Sequence, residues 1–192
     1  VFAAIDLGTN NCRLLIARPN GKAQTQPFTV VDAFSRIVRL GEGLGQTGKL
    51  SDEAMDRTVA ALNICAGKIR KQKAGRIDAV ATEACRQATN YPEFVTRVER
   101  ATGVKLRLIS GQEEAAIGLA GCASLLDAST PRALVFDIGG GSTEVSWIDT
   151  TSDRPRVLAS RSVPLGVVTL AEKYGNGLAL SERDFDESVR TT

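Results

Sequence analysis

Ala4-Ile-Asp6-Leu-Gly8-Thr-Asn-Asn11 and Val135-Phe-Asp137-Ile-Gly139-Gly-Gly-Ser142 follow one pattern, with their aspartates 131 positions apart (137 − 6). Each is an apolar run that ends in Asp, adds one apolar residue, reaches a glycine and a small polar turn, and continues into a second apolar run, at 12–17 and 143–148. Short apolar runs joined by Gly and Asn predict a β-hairpin in both places. Glycine lets a ligand approach the backbone closely, and successive N–H groups in such turns form concave anion sites. Three glycines at 139–141 cost strand stability, so that turn above all asks for a reason. An Asp at the strand end is placed to hold a hydrated cation or a water beside a bound anion. The repeat therefore predicts two phosphate turns facing a shared cleft. One is made by Gly8, Thr9, Asn10 and Asn11, the other by Gly139, Gly140, Gly141, Ser142 and Thr143.

Between the repeats, strands and helices alternate. A third extended segment is expected at 28–39, broken by the glycine-rich stretch 41–45. Ser51 caps a long helix on which Met55, Val59, Leu62, Ala66 and Ile69 keep the helical period. Its basic last turn, 68–73, suits the negative end of the helix dipole. A strand follows at 77–81, then a helix opened by Asn90-Tyr-Pro92 and ended by Gly103, then a strand at 104–109. Ser110-Gly-Gln-Glu113 matches a capping box and starts a helix running towards 126. Gly118, Ala120 and Gly121 give that helix little bulk, which predicts a closely packed neighbour. After a loop at 127–131 the pattern restarts, with strands at 133–138, 143–148 and 156–163 and a helix at 167–174. This order predicts an α/β protein with a first domain over 1–124 and a second beginning at 125 and running to 192. The chain opens on a strand without Met, and a last helix capped by Ser181 begins shortly before Thr192. An excised piece of a longer polypeptide is expected.

Composition narrows the chemistry. The 192 residues are 43% hydrophobic and 24% charged, which excludes disorder. Lys+Arg 24 against Asp+Glu 22 gives no charge-based case for nucleic acid or membrane partners. With no histidine, Ser-His-Asp and Cys-His hydrolysis and imidazole metal sites are excluded. Cys12, Cys65, Cys85 and Cys122 have no C-x-x-C spacing and read as reduced core residues, so the cytoplasm is the expected compartment. Acid–base work then falls to carboxylates, Lys, Tyr or Cys. Glu113 is already engaged as the reciprocal cap of Ser110, which leaves Glu114 as the candidate base. Glu144 reads either as an outward strand charge or as a residue reaching a metal or water.

Asp6-Leu-Gly-Thr-Asn10, Arg13-Leu-Leu-Ile16, Ala81-Thr-Glu-Ala-Cys-Arg86-Gln-Ala, Ser110-Gly-Gln-Glu-Glu-Ala115, Asp137-Ile-Gly-Gly-Gly-Ser-Thr-Glu144 and Pro164-Leu-Gly166, in this order, resemble the exopolyphosphatase/guanosine pentaphosphate phosphohydrolase (Ppx/GppA) family. The resemblance covers nearly the whole chain. Asn11 departs modestly, since the family often has Ser there. The resemblance implies the ribonuclease-H-like fold of the sugar kinase/Hsp70/actin-like ATPase group, here one complete domain and an incomplete second copy. It implies Glu114 as the base that activates water, with Asp137 and Glu144 holding Mg2+ (or Mn2+) and Asp6 as a further metal residue. The two turns, with Arg13 and Arg86, would bind substrate. The expected activity is release of the terminal phosphate of inorganic polyphosphate, with pppGpp 5′-phosphohydrolysis as the nearest alternative. An ATP-dependent kinase or chaperone-type ATPase and a non-enzymatic polyphosphate or alarmone sensor are the readings from other classes. For the whole protein a homodimer is expected.

Overall fold

A computed structural model of the chain describes residues 1–21, 27–127, 129–152 and 155–174. The helix expected from Ser181 lies outside them. The chain forms two compact units, Val1–Leu108 and Ile109–Thr192. The sequence places the helix after Ser110 in the first domain; in this division it belongs to the second unit.

The first unit is built on a five-stranded sheet. Its elements are β1 (Phe2–Leu7), β2 (Asn11–Pro19), β3 (Phe28–Ile37), α1 (Leu44–Thr47), α2 (Asp52–Lys71), β4 (Arg76–Ala81), α3 (Glu83–Gln87), α4 (Tyr91–Thr102) and β5 (Arg107–Leu108). The order across the sheet is β3-β2-β1-β4-β5. The first three strands run antiparallel, and β4 and β5 are parallel to β1. Alternation sets the buried face: Ala3, Ile5 and Leu7 of β1 and Cys12, Leu14 and Ile16 of β2 point into the core. There they join Met55, Leu62 and Ile69 of α2 and Phe94 and Val98 of α4. Burying each large side chain contributes about 1.5–3 kcal/mol. Ser51 accepts the N–H of Ala54 at 3.2 Å, capping α2 as its sequence predicts. Gly103, at φ +75°, ends α4 in the left-handed region.

Two strands stop short of expectation, each for a local reason. β3 ends at Ile37 because the N–H groups of Val38 and Arg39 both turn to the carbonyl of Asn10. In the segment 104–109 only Arg107 and Leu108 reach β4, because Val104 N–H is taken by the hydroxyl of Thr102.

The second unit contains α5 (Gly111–Cys122), a turn of 3-10 helix (Ala123–Leu125), β6 (Arg132–Ile138), β7 (Thr143–Asp149), β8 (Arg156–Val163) and α6 (Val167–Tyr174). The three strands form an antiparallel sheet in sequence order, and α5 packs on all three. Ser110 accepts the N–H of Glu113 at 3.1 Å and so caps α5. One end of the sheet is fixed by Asp149, which is nearly buried. It accepts hydrogen bonds from the hydroxyl and N–H of Thr151 and faces Arg132 at 2.9 Å and Arg156 at 3.4 Å. These Thr151 bonds, then the two arginines, hold its carboxyl down at about 2. The phosphate-type turn lies at the opposite end of the β6–β7 pair.

Candidate active site

Both glycine turns are closed by the same bond. Gly8 N–H donates to Asn11 O at 2.9 Å, and Gly139 N–H donates to Ser142 O at 2.9 Å. A later segment of backbone then engages the carbonyls of each turn. In the first unit Thr9 O accepts from Gly41 N–H at 3.0 Å, and Asn10 O accepts from Val38 at 2.8 Å and Arg39 at 3.0 Å. In the second, Gly139 O accepts from Val167 at 3.0 Å and Gly140 O from Val168 at 2.8 Å, the first amides of α6. With the carbonyls engaged, the amides are left over. Among the described residues, the N–H groups of Thr9 and Asn10, and those of Gly140, Gly141 and Ser142, donate to nothing. Clusters of unengaged amides at a turn are the raw material of an anion site.

Each turn also rests on a later glycine. A Cβ on Gly41 would come 2.4 Å from the Thr9 methyl, and one on Gly166 would come 2.4 Å from the carbonyl carbon of Gly140. Gly166 therefore lets the backbone before α6 lie directly on the turn. Thr143 adds a hydrogen bond to Leu165 O at 2.7 Å.

The strand-end charges differ between the units. Asp6 stands opposite Arg13 across β1 and β2, and the two form an ion pair at 3.9 Å with both side chains more than half exposed. Arg86 of α3 is also occupied: its Nε donates to Glu83 at 2.7 Å, and Gln87 donates to the same carboxylate at 2.6 Å. Thr82 N–H donates to Leu7 O, which ties the start of α3 to the end of β1. In the second unit Asp137 stands opposite Glu144, so two carboxylates meet where the first unit has a carboxylate and an arginine. Glu144 is 3% exposed, and its Oε1 accepts the hydroxyl of Ser162 at 2.6 Å. Asp137 is exposed at the strand end and lies over α5, with its Oδ2 3.5 Å from where a Gly118 Cβ would stand.

Small residues on α5 allow this approach. A Cβ on Gly111 would lie 2.7 Å from Ser162, and Gly118 sits under Asp137. Glu114 is between them, one helical turn from Gly118, and helical spacing puts all three on the same face. A cavity of about 240 Å3 opens between Gly118 and the two carboxylates, lined by Ala115, Gly118, Leu119, Val135, Asp137 and Glu144 among others; Glu114 is not part of its wall. The expected site residues are thus divided between the units. Asp6, Gly8–Asn11, Arg13 and Arg86 are in the first, while Glu114, Asp137, Gly139–Thr143 and Glu144 are in the second. Sequence reasoning did not single out Ser162, Gly41 or the packing role of Gly166; the offset of 131 is lost by the third strand, where Ser35 and Ser162 lie 127 positions apart, so the repeat carries no signal for them.

The donor set fits a hard divalent cation. Among the described residues no group of three or more Cys, Asp and Glu side chains could hold a metal. Two strand-end carboxylates beside open amides suit Mg2+, which is usually held by one or two carboxylates, waters and substrate phosphates. A cation at Asp6 would have to displace Arg13. Burial pushes Cys85 up to about 12, and a hydrogen bond with Cys65 followed by burial pushes Cys12 up as well.

A profile of the Ppx/GppA phosphatase family matches residues 15–190. The chain belongs to this family. Among solved structures it is similar to an exopolyphosphatase-like protein, with 33% identity and a TM-score of 0.87 over 99% of this chain and 58% of that one. It is similar to the Aquifex aeolicus member of the Ppx/GppA family, with 29% identity and a TM-score of 0.73 over 97% of this chain and 58% of that one. An exopolyphosphatase from Cytophaga hutchinsonii shares the fold, with a TM-score of 0.84 at 24% identity over 95% of this chain and 56% of that one. This Ppx/GppA chain spans well under two thirds of each relative's length. Its fold is the ribonuclease-H-like fold of the actin-like ATPase group, with β6-β7-β8 repeating the antiparallel β1-β2-β3. Among the described residues no helix is long and apolar enough to cross a membrane.

Proposed function

We propose that this chain carries the catalytic carboxylates of an exopolyphosphatase, which hydrolyses the terminal phosphoanhydride of inorganic polyphosphate with Mg2+ (or Mn2+). The observation that supports this best is the Asp137–Glu144 pair beside three unengaged amides. Two facing carboxylates call for a cation, and open amides call for an anion. When bound, the cation would neutralise charge on the substrate phosphates. The N–H groups of Gly140, Gly141 and Ser142 receive phosphate oxygens, and Ser162 holds Glu144 in one orientation. Glu114 takes a proton from a water in line with the terminal phosphorus. The water oxygen bonds to phosphorus, the bridging P–O bond breaks, and the shortened polyphosphate leaves. In the first unit, Gly8–Asn11 offers a second phosphate-binding turn, with Arg13 and Arg86 available to a phosphate that competes with their carboxylate partners. Pentaphosphate hydrolysis at a guanosine nucleotide uses the same chemistry, and the GppA half of the family's name supports it as a second reading.

The test is phosphate release from long-chain polyphosphate and from pppGpp, with and without Mg2+. Glu114→Gln should keep polyphosphate binding while turnover falls by about 10²–10⁴-fold, the usual contribution of a general base. Unchanged turnover would remove Glu114 from the role, and faster release from pppGpp would favour the second reading.

A further inference from the structure

We propose that Arg39 is a phosphate-binding residue of the first turn, and that its strained backbone is retained to aim it. This rests on reading Gly8–Asn11 as a phosphate turn. Where β3 ends, Val38 and Arg39 both donate their N–H groups to Asn10 O, so two residues face one, as in a bulge. Bulges beside functional sites commonly re-aim a side chain. Arg39 has φ +48°. Among the described residues, Lys73 is the other non-glycine residue with positive φ, and it has a local explanation. It ends α2, with Ala74 N–H closing back on Ile69 O. Arg39 ends no helix, and an L-residue held there is strained unless its surroundings insist.

Those surroundings do insist. Arg57 donates from Nε to Val38 O at 3.1 Å and from Nη2 to Arg39 O at 3.3 Å, and Glu42 N–H donates to Arg39 O at 3.1 Å. The charge on Arg57 is met by Glu42 at 2.5 Å. Arg13 and Arg86 face Asp6 and Glu83. Arg39 differs: its side chain is exposed, and among the described residues no carboxylate pairs with it. Its N–H is 3.0 Å from the turn's own carbonyl, so the Arg39 backbone is tied directly to the turn. A planar guanidinium bonds two phosphate oxygens at once. The ligand class is an inorganic oligophosphate or the phosphate tail of a nucleotide.

Substitution separates strain from binding. Glycine adopts positive φ freely, so Arg39→Gly should melt no lower than the unaltered full chain. It should nevertheless bind tripolyphosphate about tenfold or more weakly in calorimetric titration, the scale of a lost charge-assisted hydrogen bond. Arg39→Gln, which keeps a side chain and loses the charge, should show the same loss at unchanged melting temperature. Binding equal to the unaltered chain in both variants would overturn the proposal and leave the phosphate turn standing. Failure of the unaltered chain to bind tripolyphosphate would overturn the phosphate reading itself, and this proposal with it.

Discussion

In the first unit the three antiparallel strands carry Asp6, Arg13 and Ser35 side by side; in the second they carry Asp137, Glu144 and Ser162. The turn bonds are alike at 2.9 Å, and each turn rests on a later glycine. One position changes charge. With Arg13 the first turn neutralises its own Asp, so an incoming phosphate meets a balanced pair. With Glu144 the second turn gathers two negative groups, one of them buried and fixed by Ser162. On the proposed function, the repeated fold would carry two sites of different chemistry, one holding anions and the other a cation beside an anion.

The largest effect expected is at that position. Glu144→Gln keeps the shape and an acceptor for Ser162 but removes one charge, and phosphate release should fall by more than the ~10–100-fold typical of outer-shell changes. Asp6→Asn should change release far less, and an equal loss would erase the distinction between the turns. Ser162→Ala should weaken Mn2+ binding by about 10–100-fold as an outer-shell partner, whereas Ser35→Ala should leave it unchanged.

The glycines give a smaller contrast, read as stability. Gly166→Ala drives a Cβ into the Gly140 backbone, which cannot rotate away, and should cost about 1–3 kcal/mol in denaturant unfolding. Gly41→Ala is crowded by the Thr9 methyl alone, its other neighbours standing at ordinary contact distance, so it should cost less, and Thr9→Ser should relieve it. A similar loss that Thr9→Ser does not relieve would show that the contact is misassigned.

Acid unfolding gives the smallest effect. Asp149 titrates at about 2 when folded against an ordinary 3.8, so its contribution is present above about pH 4 and is lost as pH falls through 2. Asp149→Asn should lower stability at neutral pH and flatten the decline between pH 4 and 2. A decline as steep as that of the unaltered chain would remove Asp149 from the acid limb.

Much of this is legible in the sequence because it is local. Ser51, Gly103 and Ser110 act within their own helix ends, and the aspartate–glycine turns are set by adjacent residues. The single-turn helices α1 and α3 are not foreseeable, since four or five residues carry no periodic signal. β5 is shorter than its apolar character suggests because pairing depends on where a neighbouring strand lies. For the same reason the sequence marks Asp137 and Glu144 each as a candidate, while their position opposite each other requires the register. Ser162, eighteen residues further on, is brought in by a second strand pairing.

Mn2+ binding followed by electron paramagnetic resonance, in the unaltered chain, Asp6→Asn and Glu144→Gln, decides whether the cation belongs to the second turn alone. Asp6→Asn should bind the ion like the unaltered chain, and Glu144→Gln should lose it. Retained binding in Glu144→Gln with loss in Asp6→Asn would contradict that assignment.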